Sequence, residues 1–435
     1  MSLLSAVDAV EDTPVDHYLA QQADLTAVER FAQRHAADLV PRQARYYRDL
    51  LPTAMPAEGQ QYAFAVDLDT CTGCKACVAA CHSLNGLDDG ESWRTVTLLS
   101  GGTTDAPYQQ TVTAACHHCV DPACLNGCPV DAYEKDAVTG IVSHLDDQCI
   151  GCGYCTLSCP YEVPVYNKRQ GIVRKCDMCA GRLAEGEAPA CVQACPNAAI
   201  AITIVDVAEA VVAARDTALV PGAPPSSITV PTTVYRTARQ TPAILRPSPG
   251  SAKPHTPLAV MLVLTQLSVG AFTTDLVLRL GGTFDAFVAV ATGVVALGAS
   301  VLHLGRPRYA YRAVIGVRHS WLSREIVAFG AFTVLATLAA LTRSTALGWV
   351  ATAFGFAGVA CSVLIYTSTR RWRAAAVTAR FALTTAAGGL VVVSRAIAPP
   401  GWATTGLVAL VLAAVITVGL IERSRFFTSA RPPQR

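Results

Sequence analysis

Residues 149–160 read CIGCGYCTLSCP, with cysteines at positions 149, 152, 155 and 159 and a proline that closes the run. Three other stretches also hold four cysteines, and each of the four groups begins with C-x2-C and ends with C-x3-C. In chain order the groups are 71–81 (CTGCKACVAAC), 116–129 (CHHCVDPACLNGCP), 149–160 and 176–196 (CDMCAGRLAEGEAPACVQACP). Together they contain 16 of the 17 cysteines, so their chemistry decides the fold of this half of the chain.

The composition is apolar and nearly neutral, but both properties are unevenly distributed. The 435 residues carry a net charge of +2, with 52% hydrophobic and 15% charged residues. So small a net charge gives no electrostatic basis for binding nucleic acid. Apolar residues concentrate after residue 257, whereas all but one of the cysteines lie before residue 196. We therefore predict a cysteine-rich half followed by a membrane-embedded half.

The cysteine groups allow three chemical interpretations. Disulfides suit small secreted domains, but no secretory signal pattern is present and adjacent C-x2-C cysteines pair poorly. Zinc sites use isolated C-x2-C pairs separated by a longer spacer. The run C-x2-C-x2-C-x3-C-P is instead a bacterial ferredoxin pattern, in which three close thiolates bind one cubane and the fourth binds another. We therefore expect [4Fe–4S] clusters, with zinc as the alternative.

Crossed ligation of this kind requires the cysteine groups to pair. Spacing alone leaves the pairing open, but groups two and three are adjacent, which favours one unit from them and a second from groups one and four. Four clusters in succession indicate electron transfer rather than a structural role. The expected ligand sets are Cys71, Cys74, Cys77 and Cys195; Cys81, Cys176, Cys179 and Cys191; Cys116, Cys119, Cys124 and Cys159; and Cys128, Cys149, Cys152 and Cys155.

The sequence around the cysteines predicts an α+β fold of short elements. Strands are expected at 62–68 (YAFAVDL) and 140–145 (GIVSHL), and short helices after the fourth cysteine of each group. Residues 24–39 predict a helix with Asp24 as its N-cap. Basic residues near the ligands either tune the clusters or form a solvated basic face: Lys75, Lys168, Arg169, Arg174 and Lys175.

The composition shifts along the chain set the predicted domain boundaries. A Pro-, Ser- and Thr-rich stretch separates the cysteine-rich half from the apolar half, as a semi-rigid linker would. The boundaries are 1–60 for a helical extension, 61–205 for the double ferredoxin-like four-cluster domain, 206–256 for the linker, 257–422 for a membrane anchor and 423–435 for a basic tail.

Six apolar stretches follow the linker, and each is long enough to cross the hydrocarbon core of a bilayer. Six such stretches with so few charges are unfavourable as buried helices of a soluble protein. We therefore predict an all-α bundle of six transmembrane helices near 257–278, 285–304, 321–341, 346–367, 374–394 and 402–421.

Basic residues concentrate on one side of the six predicted spans. The other side carries only Arg279, Arg343 and Arg395. The positive-inside rule predicts that both termini and the cluster domain face the cytoplasm, in the inner membrane. Export of the cluster domain together with a folded partner is the alternative. The basic side holds Arg239, Arg246, Lys253, Arg306, Arg308, Arg312, Arg318, Arg324, Arg370, Arg371, Arg373, Arg423, Arg425, Arg431 and Arg435.

Ionisable residues inside spans are costly and for that reason usually functional. His303 ends the second span and Glu325 begins the third, both on the side of the cluster domain. A histidine and a carboxylate suit quinol oxidation, which releases two protons with two electrons. The alternative is a His–Glu–Arg group that only fixes helix packing. Only His303 and His319 lie near the spans, so no haem is expected.

Two parts of the chain resemble subunits of one family. The stretch from QYAFAVDLDTCTGCKACVAACHSLNG to CVQACPNAAI, about 61–205, resembles the electron-transfer subunit of the DMSO reductase family of molybdenum enzymes. Residues 257–427 resemble the membrane anchor of the same complexes, at HLGRPRYAYRA, SWLSREI and IERSRFF. The chain therefore resembles a fusion of the two subunits.

This resemblance implies a function and its residues. It implies the same group pairing, menaquinol binding at His303 and Glu325, and electron flow to a separate subunit that holds a molybdopterin cofactor. No substrate-reducing site is then expected in this chain. Two departures stand out: the family anchor has more spans than the six here, and group three keeps the cysteine that some relatives replace to hold a [3Fe–4S] cluster.

Other functions remain open from the sequence. The same path run in reverse would reduce quinone, as in enzymes of the formate dehydrogenase type. A proton-coupled energy-converting module would use Gln266, Asp275 and Arg380, which lie within predicted spans. A third possibility is an anchor that binds no quinone, with the clusters reduced by a soluble donor.

Overall fold

A computed structural model describes residues 13–15, 17–18, 26–37, 42–240, 242, 245–246, 256–278, 283–302, 304–367, 374–397, 410 and 412–421. Within these ranges the chain forms a cysteine-rich unit and a bundle of apolar helices. The two are in direct contact through residues 304–320.

The cysteine-rich unit consists of short strands and short helices joined by cysteine-bearing loops. Its strands are β1 (Gln60–Asp67), β2 (Thr95–Gly102), β3 (Pro107–Ala114), β4 (Tyr133–Lys135), β5 (Val142–His144), β6 (Val165–Asn167), β7 (Ile172–Arg174), β8 (Ile200–Asp206), β9 (Val234–Arg236) and β10 (Leu245–Arg246). Its helices are α1 (Ala27–Ala37), α2 (Ala76–Leu84), α3 (Ala123–Gly127), α4 (Tyr154–Ser158), α5 (Ala180–Ala184), α6 (Ala190–Gln193) and α7 (Val207–Ala213).

Strand β1 is the centre of the sheet that closes the unit. It pairs antiparallel with β8, placing Gln60 opposite Asp206, and parallel with β9, placing Ala65 opposite Val234. Six successive residues of β1 are buried, as expected for a strand covered on both faces. The strand predicted at 62–68 is therefore present, and the predicted linker contributes α7 and β9 to the cysteine-rich unit.

The short helices differ from the prediction. They were expected after the fourth cysteine of each group, and this was wrong. Helices α3, α4 and α6 each contain the third cysteine and end just before the fourth. The physical reason is spacing, because C-x3-C is about the length of one helical turn. Hairpins β4–β5 and β6–β7 precede groups three and four, and β5 matches the predicted strand at 140–145.

Helix α1 begins with a reciprocal capping arrangement. The Glu29 N–H donates to Thr26 Oγ1 at 3.2 Å, and the Thr26 N–H donates to Glu29 Oε2 at 2.7 Å. Thr26 therefore caps the helix through a capping box. The predicted cap, Asp24, lies outside the described residues.

The second unit consists of long apolar helices. These are α8 (Thr256–Leu278), α9 (Thr283–Leu302), α10 (Trp321–Thr342), α11 (Thr345–Thr367) and α12 (Ala374–Ile397), with a short helix α13 (Leu412–Ile421) and a 3-10 segment (Pro307–Arg318) between α9 and α10.

Six spans were predicted from the sequence, and the described residues contain four or five candidates. By length and composition, α8, α10, α11 and α12 can each cross a membrane. Helix α9 and the 3-10 segment, bent by 103° from each other, make a fifth if they are counted as one span. The described part of the predicted sixth span is residue 410 and the short apolar helix α13.

Glycines allow the apolar helices to approach closely. A Cβ atom on Gly270 of α8 would lie 1.8 Å from the Thr385 carbonyl oxygen of α12. A Cβ on Gly358 of α11 would lie 2.7 Å from the Phe329 ring of α10. Small residues at such contacts are typical of helices that associate in lipid, where close packing replaces the hydrophobic driving force.

Candidate iron–sulfur and quinone sites

The structure brings sixteen cysteines together as four sets of four. All 17 cysteines lie in the described residues, and none forms a disulfide. The members of each set come from two different sequence groups, three from one and one from the other. We name them set A (Cys71, Cys74, Cys77, Cys195), set B (Cys176, Cys179, Cys191, Cys81), set C (Cys116, Cys119, Cys124, Cys159) and set D (Cys149, Cys152, Cys155, Cys128).

Cavity lining defines sets A and C, and the electrostatic interactions between thiols agree with the expected pairing in sets B and D. The four cysteines of set A line one cavity, and the four cysteines of set C line another. In set B the Cys81 thiol interacts electrostatically with those of Cys191 and Cys179. In set D the Cys155 thiol does so with those of Cys152, Cys128 and Cys149. The grouping is the one that crossed ferredoxin ligation predicts.

All four C-x2-C loops share one backbone feature. The residue just before the second cysteine has a positive φ in every loop: +73° at Gly73, +40° at His118, +67° at Gly151 and +60° at Met178. His118 and Met178 adopt this conformation without being glycine, which costs energy and usually marks a functional site. The repetition indicates that each loop is shaped around the same kind of ligand.

The left-handed turn directs backbone N–H groups toward sulfur. The Gly151 N–H donates to Cys149 Sγ at 3.4 Å, and the Met178 N–H donates to Cys176 Sγ at 3.4 Å. Near the fourth cysteines, the Ala132 N–H donates to Cys128 Sγ and the Ala199 N–H to Cys195 Sγ, both at 3.3 Å. Such hydrogen bonds stabilise thiolate ligands and tune the potentials of iron–sulfur clusters.

Burial makes most of these thiols difficult to ionise. Burial raises the pKa of Cys81 and of Cys152 to about 12. Cys149 is the exception: burial opposes ionisation, but hydrogen bonds from His144 and from backbone N–H groups lower the pKa of this thiol. A metal that binds thiolate must therefore displace protons from most of the sites, as iron and zinc do.

The residues present fit iron–sulfur clusters. Four cysteines per set, a left-handed residue before the second cysteine of each loop and N–H donors to sulfur are features that fit a cubane. Within the described residues, no three His, Cys, Asp or Glu side chains stand close enough to hold a single metal ion. The ligands of a cubane, by contrast, surround a larger core.

The four sets follow one another in the order A, B, C, D. Cys77 of set A interacts electrostatically with Cys191 of set B. Cys176 of set B interacts in the same way with Cys116 of set C. The buried phenol of Tyr133 lies between the last two sets, where it interacts with Cys124 of set C and Cys155 of set D. This order provides a continuous path from one end of the unit to the other.

Set D is docked against the membrane half. The Gly305 N–H donates to the Gly151 carbonyl at 3.2 Å, and the Arg306 N–H donates to the Ile150 carbonyl at 3.0 Å. These two acceptors lie inside the C-x2-C loop of set D. A Cβ on Gly305 would lie 2.0 Å from the Gly171 carbonyl oxygen, so the backbones meet without intervening side chains.

The start of α10 continues this docking surface around the fourth cysteine of set D. Ser320 Oγ donates to the Gly127 carbonyl at 2.8 Å, and His319 Nε2 lies 3.0 Å from the Cys128 carbonyl. Tyr154 is buried in the apolar cluster of the helix bundle, and Cys152 packs against the same cluster. Set D is thus covered by the chain's own membrane half.

The predicted quinone residues are only partly described. His303 lies outside the described residues. Glu325 lies in the second turn of α10 and is 2% exposed, with Ser362 of α11 donating a hydrogen bond to its carboxylate. The next residue, Ile326, packs against the apolar cluster that contains Cys128, Cys149 and Cys155. A buried carboxylate therefore lies in the helix bundle, next to a residue that packs against the cluster holding three of the set D cysteines.

Sequence reasoning missed several of these residues. Ser362 is a fully buried polar residue within the apolar helix α11. A polar residue inside a predicted span is often functional, so the sequence offered a signal for it. Arg94, which is 2% exposed and interacts electrostatically with Cys77, Cys176 and Cys191, lies outside every cysteine group, and only its burial reveals it. The residues of the proton-coupled alternative lie on two helices, Gln266 and Asp275 on α8 and Arg380 on α12. Cys361, the cysteine outside the four sets, is half-buried on α11.

Comparison with known proteins agrees with this geometry. The sequence profile of the 4Fe-4S dicluster domain family matches residues 108–204. The protein is 36% identical over 186 residues to the B subunit of anaerobic dimethyl sulfoxide reductase from Haemophilus influenzae, covering 41% of this chain and 89% of that protein. It is 41% identical over 148 residues to the corresponding B subunit of Escherichia coli, covering 32% of this chain and 72% of that protein.

A second kind of relative matches the same half. The iron–sulfur subunit of formate dehydrogenase-O from Escherichia coli is 33% identical over 179 residues, covering 38% of this chain and 59% of that protein. The fold and the thiol sets thus define a ferredoxin-type iron–sulfur protein that carries apolar helices. Its cysteine-rich unit belongs to the family of the anaerobic dimethyl sulfoxide reductase B subunits, the electron-transfer subunits of molybdoenzymes.

Proposed function

We propose that this chain is the electron-transfer and membrane-anchor subunit of a respiratory oxidoreductase. It passes electrons from membrane menaquinol through four [4Fe–4S] clusters to a separate, molybdopterin-containing catalytic subunit. The observation that carries the proposal is the contrast between the two ends: set D is covered by the chain's own apolar helices near Glu325, whereas set A contains an exposed cysteine.

The sixteen cysteines are the proposed ligands, one cluster to each set. Bound clusters supply one-electron transfer at low driving force. The chain contributes the thiolates, the N–H donors to sulfur and the apolar surroundings that keep water away. Because burial disfavours most free thiolates, we expect cluster assembly and folding of this unit to be coupled.

Glu325 and His303 are the proposed quinol residues. Oxidation of a quinol releases two electrons and two protons, so its site needs groups that accept protons beside an electron acceptor. The Glu325 carboxylate can accept one of them, and the Ser362 hydroxyl fixes its orientation. His303 is assigned by its position in the HLG motif. Ile326, the next residue, packs against the apolar cluster that contains Cys128, Cys149 and Cys155, and this supports electron transfer from this site into set D.

Set A is the proposed exit to the catalytic subunit. Cys74 is exposed, and Cys71 and Cys195 are partly exposed. An electron carrier needs one such accessible end to reach a partner. The relatives named as subunits of anaerobic dimethyl sulfoxide reductase support a partner of that class.

We further propose that the chain is a natural fusion of this subunit with its anchor. The contacts between residues 304–320 and the set D loops support the fusion. They are the contacts that an electron-transfer subunit and a separate anchor subunit would have to form with each other. The described arginines between α9 and α10 (Arg306, Arg308, Arg312 and Arg318) lie in the segment that contacts the cysteine-rich unit, which supports a cytoplasmic location for the clusters by the positive-inside rule. Arg306 and Arg312 also donate to cysteine-unit carbonyls, so they act in docking as well.

The reverse direction is the second candidate. The iron–sulfur subunit of formate dehydrogenase-O supports it, because it matches this chain at 33% identity over 179 residues. In that case electrons enter at set A and leave at set D to reduce quinone. The residues and the order of the sets are the same in both directions.

The test is cluster reduction by menaquinol in membranes that contain the full complex, followed by EPR. We expect menaquinol to reduce the clusters of the wild type and to fail, or to react far more slowly, with Glu325→Gln. Thr337→Val is a matched control, since it removes a polar side chain from the same helix about three turns further along.

The outcomes separate the candidates. Rapid reduction by menaquinol, lost in Glu325→Gln and kept in Thr337→Val, supports the proposal. If menaquinol never reduces assembled clusters, but clusters reduced by the catalytic subunit are oxidised by menaquinone, the reverse direction is correct. If neither quinone form reacts with the clusters, the membrane half is an anchor only and the quinol assignment is wrong.

A further inference from the structure

Two basic residues are buried inside the cysteine-rich unit. Arg94 and Lys175 are each 2% exposed, which is rare for such side chains unless a counter-charge is present. Neither has a carboxylate partner within ion-pair distance among the described residues. An uncompensated charge in a protein interior is strongly destabilising, so each needs a compensating negative charge.

Arg94 lies between set A and set B. Its Nη1 donates to Thr113 Oγ1 at 3.2 Å, and that hydroxyl lies 3.6 Å from Cys77 Sγ of set A. The guanidinium stacks over the Phe64 ring at 4.7 Å. The guanidinium also lies close enough to Cys191 and Cys176 of set B, and to Cys77 of set A, to interact with them electrostatically.

Lys175 lies between set B and set C. Its Nζ donates to the carbonyls of Val142 and Cys176, the latter at 2.8 Å. The side chain lines the cavity of set C together with its four cysteines. It also interacts electrostatically with Cys116 and Cys124 of set C and with Cys176 of set B.

The third junction differs from these two. Tyr133 lies between set C and set D, and its phenol carries no charge. A [4Fe–4S] cluster with four thiolates is negatively charged in both of its usual redox states, and reduction adds one more negative charge. A fixed cation beside such a cluster therefore stabilises the reduced form more than the oxidised form, and this raises the reduction potential.

We propose that Arg94 and Lys175 are fixed counter-charges that raise the reduction potentials of the clusters they separate. Arg94 acts on the clusters of sets A and B, and Lys175 acts on those of sets B and C. The cluster of set B has a cation on both sides, and each cation raises its reduction potential. The proposal rests on the proposed function, because it requires a cluster in each set.

The experiment is an EPR-monitored redox titration of membranes that contain the full complex, with chemical mediators in place of quinol. Each signal is assigned by its loss in a cysteine variant of the same set. The variants are Arg94→Gln and Lys175→Gln, with Arg94→Lys as the charge-conserving form. Arg169→Gln is the control, because it removes one positive charge at a side chain that is 69% exposed and paired with Asp88.

The expected result is a pattern across the four clusters. Arg94→Gln lowers the potentials of sets A and B, Lys175→Gln lowers those of sets B and C, and set B alone moves in both. The set D potential moves least, and Arg94→Lys stays near the wild type. If every cluster assembles and neither glutamine variant shifts its flanking clusters more than Arg169→Gln does, the proposal is overturned.

A loss of clusters in Arg94→Gln is also informative. If Arg94→Lys then assembles its clusters normally, the site requires a positive charge, as proposed. If Arg94→Lys fails as well, shape rather than charge matters there, and the assignment of Arg94 is overturned. Because mediators replace quinol, a failure of the quinol proposal leaves these titrations unchanged, and iron content shows separately whether four clusters are present.

Discussion

Sets A and D have the same ligand pattern but lie in opposite surroundings. Set A has one exposed and two partly exposed cysteines, and its loop faces solvent. Set D has three buried cysteines, and its fourth packs against the helix bundle. The same C-x2-C-x2-C run therefore serves a site open to partners at one end and a site sealed by the chain itself at the other.

On the proposed function, this difference gives the electron-transfer path two distinct ends. The cysteine spacing of a cluster-binding loop does not determine which protein surface contacts the cluster. The surrounding residues determine it: Gly305, Arg306 and Ser320 cover set D, whereas no described element covers Cys74. Variants at the two ends should then have different consequences, even where the local chemistry is the same.

The largest effect is expected from loss of a ligand at each end. Cys152→Ser in set D should slow menaquinol-dependent reduction of all remaining clusters by roughly 100-fold or more, a barrier increase of about 3 kcal/mol. Cys74→Ser in set A should leave the clusters of the other three sets reducible by menaquinol while abolishing turnover with the catalytic subunit. Stopped-flow reduction followed by EPR measures both.

Cys361→Ser is the control for this pair, because that cysteine lies in α11 outside all four sets. It should leave cluster content and both rates unchanged. Equal loss of quinol-dependent reduction in Cys74→Ser and Cys152→Ser would contradict the assignment of separate ends.

The second-largest effect is expected from disturbing the backbone contacts that cover set D. Gly305→Ala places a Cβ about 2.0 Å from the Gly171 carbonyl oxygen, and relieving that overlap should cost about 1–3 kcal/mol of docking. Gly330→Ala is the control, since a Cβ there meets nothing within 4 Å. Limited proteolysis of membranes should release the cysteine-rich unit faster from Gly305→Ala only. Equal release from both variants would show that the glycine contact does not hold the units together.

The sequence predicts the cysteine-rich half well because its ligands are local. Three of the four members of set D fall within seven residues, and their spacing alone indicates a cubane site. The fourth member, Cys128, comes from another group, so its place required a pairing hypothesis. Arg94 could not be predicted, because its role depends on burial beside sets A and B and no sequence pattern marks it.

The membrane half was predictable in character but not in detail. The length of the apolar stretches indicates membrane spans. Hydropathy does not reveal, however, that α9 ends at Leu302 and that a 3-10 segment follows it. Arginines that serve as orientation signals in the sequence also make docking contacts in the structure. Ser362 lies 37 residues from Glu325 in the sequence, and only helix packing brings them together.

A smaller effect should follow from removing one docking arginine. Arg306 Nη1 donates to the Asp146 carbonyl at 2.8 Å, whereas Arg308 is exposed. The guanidinium also donates to the carbonyls of Gln170 and Cys149, both at 3.4 Å. Arg306→Gln should weaken docking by about 1–2 kcal/mol, because water partly replaces these charged hydrogen bonds. Arg308→Gln should not, although it removes the same charge from the same segment. The proteolysis assay in low salt separates the two, and equal behaviour would reduce Arg306 to an orientation signal.

The smallest effect compares one backbone position at the two ends. Lys75 follows Cys74 of set A at φ +61°, and Gly153 follows Cys152 of set D at φ +69°; each caps the helix after it. A non-glycine residue in this conformation costs about 1 kcal/mol. Lys75→Gly should therefore raise, and Gly153→Ala lower, the thermal stability of the neighbouring cluster, measured by loss of its EPR signal on heating. A Cβ on Gly153 has free space, with Thr156 Oγ1 at 4.0 Å, so backbone conformation is the only expected cause. If Lys75→Gly lowers stability instead, the lysine side chain contributes more at the exposed end than its backbone costs.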